Sequence, residues 1–243
     1  MTVEELRESD VPTNPICVAI DTPDLDKAVA LARALKPHVG WAKIGMEFFY
    51  AHGIAGYARV AEAGLPVFLD LKLHDIPNTV ASAMKSLMRI EPRPAIVNLH
   101  ATGGFDMMKA AAEAVAGQSK LIAVTILTSL SDDDIWAAGF ETAKNTEAHA
   151  RSLAELSRRA GLDGVVCSPH DVVGIRHDLG RDFLTVVPGI RPAEAALQDQ
   201  KRAATPEAAL AAGADILVIG RAITGAADPA KAARNILAGL HAG

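Results

Sequence analysis

Residues 66–80 read PVFLDLKLHDIPNTV, and Val67–Leu73 within them is short, mostly apolar and fenced by Pro66 and by His74-Asp75-Ile76-Pro77. Such a run predicts a strand. Side chains alternate along a strand, so Leu69, Leu71 and Leu73 fall on one face and Phe68, Asp70 and Lys72 on the other. An acid and a base among leucines are costly to bury unless the charges serve each other or a ligand. Asp75 follows where a helix N-cap belongs, with Pro77 tolerated in the first turn. Taken singly, Asp75 reads as a cap and Asp70 with Lys72 as a structural ion pair. Together, as Asp-x-Lys-x-x-Asp at the C-terminal end of a strand, they point to an active site.

Outward from this strand the chain repeats one unit. Before it lie a strand over 16–21, a helix over 24–37 capped by Asp24, a strand over 41–45 and a helix over 47–63. After it come a helix over 78–90, a strand over 95–100, and a helix opened by Gly103-Gly104 and running to about Ala116. Strands over 120–127, 164–168, 183–187 and 216–219 follow, interleaved with helices over 131–140, 146–160, 170–176, 206–212 and 228–240. Eight strands alternating with helices imply parallel pairing through right-handed crossovers, and in 243 residues they match a (β/α)8 TIM barrel of the α/β class, in one domain over 1–243. The rival open doubly wound sheet lacks its Gly-x-Gly-x-x-Gly turn, since Asp21-Thr22-Pro23 follows the first strand. Residues 1–15 are a polar lead.

A barrel gathers the C-terminal ends of its strands at one mouth. Those ends carry Asp21, Lys43, Asp70, Lys72, His100, Thr128, Ser168, Pro188 through Arg191, and Gly220-Arg221, whereas the strand interiors are apolar. Gly220-Arg221 ends the eighth strand, where barrels often bind phosphate. The long polar connection 188–205, PGIRPAEAALQDQKRAAT, has the length of a lid, with Arg191 and Gln200 as its ligand contacts. His100 is expected to be a hydrogen-bonded core histidine and His74 to lie on the solvent or helix side. Metal-ligand spacing and a Ser–His–Asp order are both missing.

Half the residues are hydrophobic, enough for a full core, yet no apolar run approaches the ~20 residues of a membrane span. The polar, acidic start predicts a soluble, cytoplasmic protein with no membrane partner. A net charge of −5 argues against a broad nucleic-acid footprint while leaving room for a small basic pocket. Cys17 and Cys167 both sit in apolar segments and read as buried thiols.

With these residues in place, the chain resembles the orotidine 5′-phosphate decarboxylase family from about Ile16 to the final helix. The family's Asp-x-Lys-x-x-Asp-Ile-x-x-Thr is met by Asp70, Lys72, Asp75, Ile76 and Thr79. Pro188-Gly189-Ile190-Arg191, Gln200, Gly220-Arg221, Asp21 and Lys43 match its other motifs in order. The Ile76-Pro77-Asn78-Thr79 wording resembles that of the bacterial branch, and with no phosphoribosyltransferase domain expected alongside the barrel the chain reads as the monofunctional form. The resemblance implies decarboxylation of orotidine 5′-phosphate to uridine 5′-phosphate, the last step of pyrimidine nucleotide synthesis, with neither metal nor organic cofactor. Lys72 would be the proton donor, Asp70 would press on the substrate carboxylate, and Lys43 and Asp75 would complete an alternating-charge array. Asp21, Lys43, Asp70, Ile76, Thr79, Thr128, Pro188, Arg191, Gln200, Gly220 and Arg221 would bind the nucleotide. It further implies a homodimer in which Asp75 and Thr79 reach the neighbour's site. Two rivals are weighed. Mg2+-dependent sugar-phosphate decarboxylases or aldolases of the same barrel group carry a glutamate ligand where this chain has Lys43, and a lysine repels the metal. A non-catalytic phosphate-binding barrel would have no need of an intact charge array.

Overall fold

A computed structural model describes residues 12–192 and 204–241. Eight parallel strands close in sequence order: β1 (Ile16–Ala19), β2 (Trp41–Gly45), β3 (Val67–Leu73), β4 (Ile96–His100), β5 (Lys120–Val124), β6 (Gly164–Val166), β7 (Leu184–Val187) and β8 (Ile216–Ile219). Pairing of Ile16 with Leu217 and of Val18 with Ile219 joins the last strand to the first. The helices are α1 (Leu25–Leu35), α2 (Met46–Ala61), α3 (Pro77–Leu87), α4 (Phe105–Val115), α5 (Asp132–Ala137), α6 (Thr146–Arg159), α7 (Val172–Leu179), α8 (Pro206–Ala211), α9 (Arg221–Thr224) and α10 (Pro229–His241). No helix among the described residues is long and apolar enough to cross a membrane.

Strand alternation builds two cores. Cys17, Ala19, Trp41, Phe68, Ile96, Ile122, Val186, Ile216 and Val218 fill the barrel interior. Ile16, Val18, Ile44, Leu69, Val97, Leu99, Leu121, Val165 and Leu217 point outward and meet the helices. The helices start and stop where local chemistry dictates. Asp24 accepts the Lys27 N–H at 3.0 Å and Asn145 that of Ala148 at 2.9 Å. Ser131 and Asp134 form a reciprocal capping box on α5.

Several boundaries differ from the sequence reading, each for a local reason. The fifth strand stops at Val124 rather than Leu127, and Ile126, Leu127 and Thr128 turn to line the mouth. The sixth stops at Val166 because the Ser168 N–H is taken by the Asp171 carboxylate at 2.9 Å, which turns the chain into α7. The second helix is broken at Gly53, whose φ of 59° and ψ of −154° are not helical. The short α9 after β8 is an element that the sequence reading lacked.

Asp75 is not the N-cap of α3. Pro77 is the first helical residue, so Ile76 occupies the cap position, and the Asp75 carboxylate accepts the Ile76 N–H at 2.6 Å from one residue too early.

Candidate active site

The bulge in β3 makes the site. Leu69 pairs with Val97 and Leu73 with Leu99, so four steps along β3 match two along β4. Asp70, Leu71 and Lys72 therefore face the single residue Asn98. Lys72 accommodates the surplus chain by adopting φ +53°, a left-handed conformation costing a non-glycine residue ~1–2 kcal/mol.

At the strand ends four charges alternate in sign. Lys43 Nζ lies 3.0 Å from Asp21 Oδ1 and 3.3 Å from Asp70 Oδ2, and Lys72 Nζ lies 2.6 Å from Asp70 Oδ1. Lys43 and Asp70 are each only 7% exposed. Burial alone would push the Asp70 carboxyl up, but the Lys43 and Lys72 ammonium groups and the hydrogen bonds from Lys72 and Asn98 hold it below its ordinary value. Burial would likewise lower Lys43, and Asp70 and Asp21 raise it instead. Both groups are charged at neutral pH. A side chain at Gly45 would stand 3.0 Å from both Asp21 Oδ1 and Lys43 Nζ and would crowd their ion pair.

The array forms one wall of a cavity of about 490 Å³ at the C-terminal mouth. Asp21, Lys43, Asp70, Lys72, Thr128, Pro188, Arg191, Gly220 and Arg221 all line it, with Phe68, Val124, Ile126, Val166 and Cys167 supplying apolar surface. Ala204 bridges the backbone of Gly189 and Arg191, which holds Arg191 at the cavity. Charged and apolar surface in such a volume suits a small anionic ligand with an aromatic or planar part.

Other expected residues lie elsewhere. Asp75, Ile76 and Thr79 are exposed at the start of α3 and are not among the described residues that line the cavity of their own chain. Gln200 and residues 193–203 of the long connection lie outside the described residues. Ser168 is fully buried behind the mouth, its Oγ without a hydrogen-bond partner. His100 is half-buried rather than a core residue, with its ring 5.4 Å from that of exposed His74. Burial and the neighbouring His74 and Lys72 push its pKa down. Cys17 and Cys167 are buried, as read from their apolar surroundings, and are not joined in a disulfide. Among the described residues no group of three or more His, Cys, Asp or Glu side chains is placed to hold a metal ion.

Asn98 is the contact that sequence reasoning passed over. It is the one polar side chain inside the run IVNLH before the terminal histidine, and alternation with Ile96 puts it on the interior face.

Comparisons with known proteins bear on the family and the fold. The profile of the orotidine 5′-phosphate decarboxylase / HUMPS family matches residues 14–236. A protein of Novosphingobium aromaticivorans named orotidine 5′-phosphate decarboxylase is 54% identical over 228 residues, covering 94% of this chain and all of the relative. One of Rhodospirillum rubrum with the same name is 51% identical, covering 92% of each. The solved structure of orotidine 5′-phosphate decarboxylase from Lactobacillus acidophilus superposes with a TM-score of 0.80 at 36% identity, covering 93% of this chain and 99% of that one. By sequence over nearly its whole length, and by a closed barrel that superposes on a solved relative, this chain belongs to the orotidine 5′-phosphate decarboxylase / HUMPS family.

Proposed function

We propose that this protein decarboxylates orotidine 5′-phosphate to uridine 5′-phosphate, as its relatives are named for doing. The observation that carries the reading is the alternating array Asp21–Lys43–Asp70–Lys72 on the wall of a cavity that also holds Arg191 and Arg221. The arginines and the Gly220 backbone take the phosphate, and the array meets the pyrimidine ring at C6. Asp70 faces the substrate carboxylate; two like charges ~4 Å apart at an effective dielectric of ~20 repel by about 4 kcal/mol. The C6–carboxylate bond breaks, CO2 leaves, and its electron pair stays on C6 beside the Lys72 ammonium. Lys72 Nζ then gives C6 a proton and is reprotonated from water. Phosphate contacts remote from C6 supply binding energy that is used in the transition state.

The deciding assay follows the loss of orotidine 5′-phosphate absorbance in excess EDTA. Turnover unaffected by the chelator is expected, because the Lys43 ammonium stands where a divalent cation would be repelled. Activity that vanished with EDTA and returned with Mg2+ would move the protein to the sugar-phosphate enzymes of the same barrel group. Arg221→Ala should weaken the phosphorylated substrate by roughly 10–100-fold, the worth of a charge-assisted contact of ~1.5–3 kcal/mol, while hardly touching orotidine itself. Equal losses on both would remove the phosphate from Arg221.

The working unit is proposed to be a homodimer with shared sites. Asp75, Ile76 and Thr79 stand exposed at the rim, and Ile76 is 66% exposed. Met46 and Tyr50, four residues apart on α2, add an exposed apolar face, with Tyr50 at 75%. Apolar surface of this kind beside an open site suits a two-fold interface that carries Asp75 and Thr79 into the neighbour's cavity. Two buried cysteines that form no disulfide fit a reducing compartment, and the cytoplasm is the proposed setting.

A further inference from the structure

We infer that Asn98 is a positioning residue for decarboxylation, one amide setting both the Asp70 carboxylate and the backbone that aims Lys72. The inference rests on the proposed function and deepens it. Asn98 is 1% exposed and lies behind Asp70 rather than on the cavity wall. Its Oδ1 accepts the Lys72 backbone N–H at 2.8 Å, and its Nδ2 donates to Asp70 Oδ1 at 2.7 Å, the same oxygen that accepts from Lys72 Nζ at 2.6 Å. The orientation of the amide is forced: a backbone N–H can only donate, so the oxygen must face Lys72 and the NH2 must face the carboxylate.

The bulge explains why a side chain does this work. Over Leu69–Leu73 the ladder between β3 and β4 is interrupted, and the Lys72 N–H, which a regular strand would give to a neighbouring carbonyl, goes to Asn98 instead. That bond holds the left-handed conformation from which the Lys72 side chain folds back onto Asp70. The second bond fixes which Asp70 oxygen faces Lys72, leaving Oδ2 to Lys43. Both groups the reaction needs are thus referenced to one buried atom set on a rigid strand.

Asn98→Ala and Asn98→Asp test this, with wild type assayed alongside. For the alanine variant kcat per folded site is expected to fall about 30-fold or more, while the dissociation constant for uridine 5′-phosphate moves by less than about fivefold, since the phosphate contacts lie elsewhere. A kcat within about threefold of wild type overturns the inference. Should the alanine variant not fold, the near-isosteric aspartate variant decides. Its new carboxylate reproduces the amide N–H only while a proton bridges it to Asp70. The charges bearing on that proton are Lys43 from β2, Asp21 after β1, Lys72 from β3, His74 after it and His100 from β4. As pH rises the bridge is lost, so the descending alkaline limb of kcat, which in wild type reports loss of the Lys72 proton, should begin at lower pH in the aspartate variant. A limb that begins at the wild-type pH overturns the inference. If wild type itself fails to act on orotidine 5′-phosphate, the functional reading is what falls.

Discussion

Lys72→Ala is expected to lower kcat on orotidine 5′-phosphate by on the order of 10⁴-fold or more, with affinity for uridine 5′-phosphate held within about fivefold. The size follows from two roles lost together, proton donation worth ~10²–10⁴-fold and charge stabilisation worth ~10²–10³-fold. Affinity survives because Arg191, Gly220 and Arg221, which line the same cavity, are untouched. Asp70 stays charged in the variant, since Lys43 remains 3.3 Å from its Oδ2 and Asn98 still donates to Oδ1 at 2.7 Å. A carboxylate therefore still presses on the substrate, now with no cation beside C6. Single-turnover kinetics with separate equilibrium binding of the product resolve the two effects. Retention of a tenth of wild-type turnover would remove Lys72 from the proton transfer.

Mixing two inactive variants, Lys72→Ala and Asp75→Ala, should return about a quarter of full activity. In a shared site Lys72 comes from one chain and Asp75 from the other. A mixed dimer then has one site carrying both defects and one carrying neither. Random reassortment makes half the dimers mixed, each with one of two sites whole, which gives about a quarter. Exposed Asp75, whose carboxylate is engaged by its own Ile76 N–H at 2.6 Å rather than by Lys72, is what motivates the test. Each variant alone stays inactive. If subunit exchange is demonstrated by mass labelling and no activity returns, each site draws only on its own chain.

The barrel was legible because periodicity is a property of neighbouring residues. The second, third and eighth strands were read to the residue, Trp41–Gly45, Val67–Leu73 and Ile216–Ile219, since each is a short run set off by glycine, proline or a polar residue. The array was legible for a related reason. Asp70 and Lys72 break an apolar run at a spacing of two, and Lys43 does so in the strand before. What escaped depends on contacts between strands. Asn98 acquires its importance from a mismatch in residue count between β3 and β4 that neither strand displays alone. The early ends of the fifth and sixth strands come from side chains reaching back to the backbone, Thr125 to the Val166 carbonyl and Asp171 to the Ser168 N–H. Asp75 was misplaced by one position because Pro77 fixes the helix start more firmly than a good capping residue does.

The left-handed backbone at Lys72 records a choice between durability and chemistry. Glycine adopts φ +53° without steric cost, and at that position it would relax the chain while leaving the Leu69 and Leu73 pairings that close the barrel. Lysine there is the less stable occupant, kept in place by its neighbours. A search for thermostable forms would be drawn to this residue first, and each gain found there would be taken directly from turnover.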